Sequence, residues 1–137
     1  MKIAKEFSWE MGHRLTFHKG KCRNIHGHSY KMMIEFTGTS DEDGMVFDYY
    51  DVKEKIQPLV DELDHAFMVK NDDEELLNFL KKSGYLHVIV DFESTAENIA
   101  LFFLNKIKNI SLPDNISRVK VRILETENTY AEDEIDL

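Results

Sequence analysis

The strongest constraint on the fold is a period of two near the N-terminus. Across residues 2–11, the side chains on one face of an extended chain would be Ile3, Lys5, Phe7, Trp9 and Met11. This period predicts a β-strand with one buried face. Residues 28–37, rich in Met, Ile, Tyr and Phe, predict a second strand. The chain therefore begins with two strands, which a polar loop at residues 16–24 joins.

Helical spacing appears further along the chain. Asp48 is expected to cap a helix with an apolar stripe, and Pro58 is expected to kink that helix or to open a second segment. Residues 72–82 predict a short polar helix. Ser94–Glu97 predicts a capping box for a third helix, and this cap accounts for Thr95 and Glu97.

Two more strands complete the predicted architecture. Residues 86–90 and 118–125 are apolar or alternating and predict strands. The acidic end of the chain, Glu132–Asp136, is expected to be solvated. The order predicts an α+β fold, with a mostly antiparallel four-stranded sheet and helices on one face.

Composition limits the class of protein. With 137 residues and 42% apolar content, residues 1–137 are expected to form a single domain with its own core. The one cysteine excludes an intrachain disulfide and fits a reducing compartment. There is no signal-peptide pattern, and the apolar stretches are too short to span a bilayer. We therefore expect a soluble, cytoplasmic protein without a membrane partner.

The charge is uneven along the chain. A net charge of −9 argues against nucleic acid as the main partner. Between Glu10 and Glu35, however, there is no acid, and the same window holds five cations: Arg14, Lys19, Lys21, Arg23 and Lys31. Such a patch could hold a small polyanion. A solvated loop with ordinary surface lysines explains these residues equally well.

Four of the six histidines lie between residues 13 and 28, and three of these could share a site. His26 and His28 are two apart, so in a strand their imidazoles point to one face, and His13 precedes them. Three imidazoles that converge suit Zn²⁺ and leave a fourth position open, as in catalytic sites. The alternative is that these are only surface residues of a strand, and the sequence favours the metal.

Cys22 lies close to this cluster, between Lys21 and Arg23. Neighbouring cations favour the thiolate, which could act as a base or nucleophile. The alternative is an inert buried thiol, the commoner fate of a lone cysteine.

Two further pairs could carry chemistry. Asp64 and His65 follow the first long helix and could form an oriented acid–base pair, although a histidine that stabilises a helix end is the simpler reading. Glu125 and Thr126 end the last predicted strand. A carboxylate there could accept two N–H groups from a flat heterocycle, but alone it is better read as a solvated strand end.

Taken together, the motifs resemble those of the 6-pyruvoyltetrahydropterin synthase superfamily. The resemblance spans nearly the whole chain and rests on WEMGHRL (9–15), CRNIHGH (22–28), Leu63-Asp64-His65, TAEN (95–98) and Glu125-Thr126. The three residues between Cys22 and His26 resemble the spacing of the 6-carboxytetrahydropterin synthase branch, which serves queuosine and other 7-deazaguanines. The pyruvoyl-forming branch typically has a longer gap.

The resemblance implies a tunnelling fold, in which sheets from several subunits join into an oligomeric barrel with active sites between subunits. A homohexamer is the expected assembly. It also implies a lyase that takes 7,8-dihydroneopterin triphosphate and releases acetaldehyde and triphosphate. The alternatives are the 6-pyruvoyl reaction on the same fold and a non-catalytic protein that binds zinc or a pterin.

Roles for single residues follow from matching positions. Zn²⁺ would lie on His13, His26 and His28, and Cys22 would accept a proton. His65, Asp64 and Glu125 would form the relay and anchor the pterin, with Thr126 beside them, and the substrate's phosphates would meet the basic residues Arg14, Lys19, Lys21 and Arg23. Two positions depart from the family: Ser94 replaces a common proline, and Gly12 replaces an alanine. We expect the first to alter only the helix cap and the second to leave zinc binding unchanged.

Overall fold

The antiparallel pair β1–β2 forms the centre of the fold. In a computed structural model that describes residues 1–137, β1 (Lys2–His13) pairs with β2 (His26–Gly38) along its full length. On the far side of β2, β5 (Ile116–Thr126) pairs antiparallel, and β6 (Thr129–Asp136) pairs antiparallel with β5. Both predicted N-terminal strands are confirmed.

The other edge of the sheet is parallel. β3 (Ala66–Lys70) pairs with β1 only at Met11 and Gly12, and β4 (His87–Val90) pairs with β3. The strand order is β4-β3-β1-β2-β5-β6. The α+β class is confirmed, but the four-stranded antiparallel sheet is wrong, because the sheet has six strands and mixed directions. The two unpredicted strands are β3 and β6.

Three α-helices connect the strands. α1 (Tyr49–Asp61) begins at the N-cap Asp48 and continues through Pro58 as one helix, which excludes a second segment, one of the two expected effects of Pro58. α2 (Glu74–Ser83) ends at Gly84. None of the three is both long and apolar enough to span a lipid bilayer.

α3 (Ala96–Lys108) begins one residue later than the predicted capping box requires. Its N-cap is Thr95, whose hydroxyl accepts the N–H of Asn98. Ser94 is therefore not the cap, and its side chain is buried. The predicted Ser94–Glu97 box was wrong because Thr95 occupies the cap position.

The helices lie on both faces of the sheet. α1 and α3 cover the main core, to which β2 contributes Tyr30, Met32, Ile34 and Phe36. α2 packs Leu76 and Leu80 against Val69, while the neighbouring Met68 faces the main core. Since successive side chains of a strand point to opposite faces, α2 lies on the other side. The prediction of helices on one face is wrong for α2.

The acidic end of the chain is a strand with partners. On one face of β6, acidic side chains form ion pairs with the cations of β5, among them Arg118 with Asp136 and Arg122 with Glu132, both at 2.7 Å. On the other face, Ile135 packs against the core. The acids of Glu132–Asp136 are exposed, as expected of a solvated end, but they belong to a paired strand, and three of them neutralise cations of β5.

Ile135→Ala should therefore lower the free energy of unfolding by about 1 kcal/mol or more, since it removes apolar contact with the core. Asp133→Ala is the matched control, because Asp133 lies in the same strand, is exposed and forms no ion pair. Urea unfolding measures both. If both substitutions change the free energy of unfolding equally and only slightly, β6 does not pack against the core.

Candidate metal centre

The register of β1 and β2 places the three histidines together. His13 lies opposite His26, and His28 lies opposite Met11, one side-chain repeat further along the same face. The imidazole nitrogens available as ligands all lie within 4.8 Å of one another. The predicted histidine cluster is thus present in the structure, at one end of the central strand pair.

Hydrogen bonds determine which nitrogen of His13 and of His26 faces the cluster. His13 Nδ1 lies 2.9 Å from the Ser94 carbonyl, and His26 Nδ1 lies 2.6 Å from the Asn24 carbonyl. A carbonyl can only accept, so each Nδ1 donates and each Nε2 keeps its lone pair. This tautomer is the one that metal-ligating histidines adopt when their other nitrogen is hydrogen-bonded.

The cluster contains polar atoms without partners. The Nε2 atoms of His26 and His28 are buried and form no hydrogen bond. Glu125 Oε1 lies 3.0 Å from His28 Nε2, but not in a hydrogen-bonding direction. Buried polar atoms normally find partners, so these two nitrogens call for an additional group between them. A metal ion with three imidazole ligands fits this donor set.

Burial favours the neutral, metal-binding form of His13 and His28. It lowers the pKa of His13 to about 4, against an opposing hydrogen bond to the Ser94 backbone. Burial also lowers the pKa of His28, and the nearby Glu125 carboxylate only partly offsets it. The same effect raises the pKa of Tyr30, whose protonated hydroxyl lies 3.4 Å from both ring nitrogens of His13.

Cys22 lies on the β1–β2 connection at the metal end of the sheet. It belongs to a short 3-10 turn (Lys21–Arg23), and its carbonyl accepts the N–H of Leu15 at 2.9 Å. Leu15 follows His13 by two residues, so the turn is held close to the histidine strand. The thiol is half-buried, while Lys19, Lys21 and Arg23 are exposed and form no ion pair.

Arg14, by contrast, is occupied. Its guanidinium binds Asp73 through two nitrogens, with Nε at 2.7 Å, and Glu75 lies 3.6 Å away. The hydrogen bond from Arg14 lowers the pKa of Asp73. Asp73 also caps α2. Arg14 therefore holds the chain beyond His13, and its contact with phosphate stays a prediction.

A second acid holds the same loop. Glu93 accepts hydrogen bonds from the backbone N–H and the hydroxyl of Thr16, and Lys70 lies nearby at 3.8 Å. Sequence reasoning missed both Asp73 and Glu93 as loop anchors. No local pattern identifies them, since each acts on a residue more than fifty positions away.

Asp64 and His65 lie away from the histidine cluster. They belong to a turn after α1, where His65 adopts a left-handed backbone with φ of 60°. The carboxylate of Asp64 accepts the N–H of Glu10, which lowers its pKa, and lies 3.0 Å from His65 Nδ1. His65, Glu10 and Gly12 line a cavity of about 290 Å³, to which His28 also contributes. Because Glu10 and Gly12 point opposite to His13, this cavity lies on the other face of the sheet.

Glu125, whose carboxylate lies 3.0 Å from His28 Nε2, borders a different cavity, of about 330 Å³. The N-terminal turn of α3 also lines it, through Thr95 and Glu97, as does Tyr130 of β6. Sequence analysis assigned Thr95 and Glu97 only to the helix cap. Thr126 does not line this cavity, because its hydroxyl bonds the side chains of Asn128 and Thr129 in the β5–β6 turn.

Comparisons with known proteins agree with this architecture. The family model described as 6-pyruvoyl tetrahydropterin synthase matches residues 2–135. The 6-carboxy-5,6,7,8-tetrahydropterin synthase of Haemophilus influenzae is 36% identical, and that of Aquifex aeolicus 35%, each over 96% of both chains. The crystal structure of Plasmodium vivax 6-pyruvoyltetrahydropterin synthase superposes with a TM-score of 0.82 at 25% identity, over 100% of this chain and 98% of that one. These matches confirm the family resemblance of the motifs.

Gly12 has a steric role that the sequence did not indicate. A Cβ there would lie 2.6 Å from the Phe67 ring. Gly12→Ala should therefore cost about 1–3 kcal/mol of stability, the usual range for an overpacked site. Phe67→Leu in the same chain should recover part of this loss. Thermal unfolding of the two single variants and the double variant measures the coupling. Purely additive effects would show that the ring moves aside at no cost.

Proposed function

Because the chain belongs to the 6-pyruvoyl tetrahydropterin synthase family, we propose that it is a zinc-dependent 6-carboxy-5,6,7,8-tetrahydropterin synthase. The proposed substrates are 7,8-dihydroneopterin triphosphate and water, and the co-products are acetaldehyde and triphosphate. The product would enter 7-deazaguanine synthesis, as for queuosine. The observation that carries the proposal is the full-length similarity, at 29–36% identity, to relatives with this name.

The three imidazoles support zinc as the metal. His13, His26 and His28 would hold it through their Nε2 atoms, of which those of His26 and His28 have no hydrogen-bond partner. Three nitrogen ligands and an open fourth position are the usual arrangement of catalytic zinc. Bound zinc acts as a Lewis acid that polarises substrate oxygens and makes the adjacent C–H more acidic.

The loop beyond His13 supplies the proton acceptor and the cations. The proposed acceptor is the Cys22 thiolate, which would take a proton from carbon before triphosphate leaves as an anion. Lys19, Lys21 and Arg23 are exposed and unpaired, so they are available to the three phosphates. Arg14 supports this function indirectly, since its ion pair with Asp73 holds the loop in place.

The cavity that Glu125 borders is the proposed pterin site. Glu125 lies at its wall and close to His28, so a heterocycle held by this carboxylate would place its side chain near the metal. A carboxylate can accept two parallel hydrogen bonds from the N–H groups of a pterin edge. Thr126 would contribute by shaping the β5–β6 turn, since its hydroxyl is already bonded.

Asp64 and His65 enter this proposal only through a second subunit. In a single chain they lie on the opposite face of the sheet from the histidines, and the His65 side chain is 74% exposed. A relay role therefore requires that they approach the site of another copy. This supports an active site shared between subunits in a homo-oligomer, for which we propose a hexamer.

The 6-pyruvoyl reaction is the second candidate. The fold similarity to 6-pyruvoyltetrahydropterin synthases supports it. The two reactions start from one substrate and differ in whether the three-carbon side chain is cleaved. A non-catalytic pterin-binding or zinc-binding protein is the third.

The product test separates these candidates. With 7,8-dihydroneopterin triphosphate, the zinc-loaded protein should release acetaldehyde together with triphosphate, measured by aldehyde derivatisation and mass spectrometry. Cys22→Ala should retain zinc and lose at least about 10²-fold in turnover, as expected for a general base. A triphosphate-free pterin that keeps all three side-chain carbons would support the 6-pyruvoyl reaction instead. Full turnover in Cys22→Ala would exclude the proposed role of the thiol.

Subunit sharing can be tested by mixing inactive variants. Cys22→Ala and His65→Ala should each be inactive, but joint refolding should restore about a quarter of wild-type activity, because random assembly pairs intact Cys22 with intact His65 at that frequency in a symmetric oligomer. Each variant refolded alone is the control. Failure of the mixture to regain activity, with normal assembly by light scattering, would mean that no site is shared.

A further inference from the structure

Ser94 makes a contact with the candidate metal centre that no pattern in the sequence assigned. It immediately precedes the cap of α3 and is 3% exposed. Its hydroxyl lies 3.0 Å from His13 Nδ1, and its carbonyl lies 2.9 Å from the same atom. We propose that the Ser94 hydroxyl is a positioning group that holds His13 in its metal-binding orientation.

The chemistry of the two oxygens determines the direction of the contact. The carbonyl can only accept, so Nδ1 carries the proton, and the hydroxyl oxygen then accepts the second branch of a three-centre hydrogen bond. Any ring rotation that moves Nδ1 away from Ser94 breaks both contacts at once. The lone pair of His13 Nε2 therefore stays directed toward His26 and His28.

Ser94 is itself held rigidly. On one side Thr95 caps α3. On the other, the Glu93 carbonyl accepts both the N–H of Thr95 at 2.8 Å and the side-chain amide of Asn98 at 2.9 Å. The hydroxyl therefore belongs to a fixed turn and does not depend on a mobile side chain. This turn connects the start of α3 to a strand 81 positions earlier in the chain.

The three imidazoles are not equally anchored. His26 has one oxygen at Nδ1, the Asn24 carbonyl, and His28 Nδ1 has no hydrogen-bond partner. His13 Nδ1 alone has two oxygens within 3.0 Å, both from Ser94, and the Tyr30 hydroxyl lies further away at 3.4 Å. A second acceptor at Nδ1–H makes Nε2 more basic and fixes its direction, which is how groups behind a ligand strengthen metal binding. His13 is thus the ligand around which the other two complete the site.

The inference rests on the proposed metal site and predicts a loss of metal affinity. Ser94→Ala should bind Zn²⁺ about 10-fold more weakly. This is the lower end of the range for losing a hydrogen-bond partner of a metal-binding histidine, because the Ser94 carbonyl remains. Competition with a chromophoric zinc chelator measures the affinity. Ser117→Ala, which removes an exposed hydroxyl in β5, is the matched control and should bind as tightly as the wild type.

Two further readouts separate positioning from a general structural effect. The visible spectrum of Co²⁺-substituted Ser94→Ala should differ in band position or intensity from that of the wild type, since the orientation of a ligand has changed. Thermal unfolding of the metal-free variants should show that the fold is retained. Ser94→Thr keeps the hydroxyl and should restore the affinity and the spectrum.

Two outcomes would overturn the inference. A folded Ser94→Ala with wild-type affinity and spectrum would show that the carbonyl alone positions His13, while the metal site and the proposed function stand. Absence of stoichiometric zinc in the wild type would remove the metal site itself, and with it both proposals. If Ser94→Thr fails to fold, the comparison of wild type with Ser94→Ala decides.

Discussion

The pairing of β1 with β2 is the constraint on which the candidate site depends. Strand side chains alternate, so a slip of one residue would turn His26 and His28 to the opposite face and separate them from His13. The core prevents this slip. Tyr30, Met32, Ile34 and Phe36 follow on the same face of β2 and are fully buried. The apolar half of the strand thus determines the position of its polar half, and the histidines converge because the core is packed.

The charged side chains are also arranged in specific pairs. The chain is strongly acidic, yet its acids form specific ion pairs. Asp73 pairs with Arg14, and the acids of β6 pair with the cations of β5. Around the metal end, the cations left without a partner lie on the β1–β2 loop. An approaching anion therefore meets an attractive loop on a protein that otherwise repels it.

Much of this arrangement could be predicted from periodicity. The first two strands, α3 and the convergence of the histidines follow from apolar spacing over ten or more residues. β3 was missed because five residues directly after a helical stripe do not show a period of their own. β6 was missed because its acids suggest a solvated tail until the cations of β5 are known to lie opposite.

The site was less predictable than the fold wherever distant segments meet. The positions of Ser94, Asp73 and Glu93 depend on how three connections pack around β1, and no spacing rule reports that. Asp64 and His65 are well marked in the sequence but face away from the histidine cluster of their own chain, so their predicted role depends on a second subunit. Local patterns identify residues capable of chemistry, while tertiary packing decides which of them share a site.

The backbone of His65 bears on how this protein could be stabilised. A left-handed conformation costs a non-glycine residue about 1–2 kcal/mol, and glycine would avoid most of that cost. A stabilisation screen would therefore rank His65→Gly highly, since the side chain is exposed and its loss leaves no cavity. If the imidazole serves a neighbouring subunit, His65→Gly would raise thermal stability and abolish activity. The substitution that looks best for stability is then the wrong one for an active enzyme.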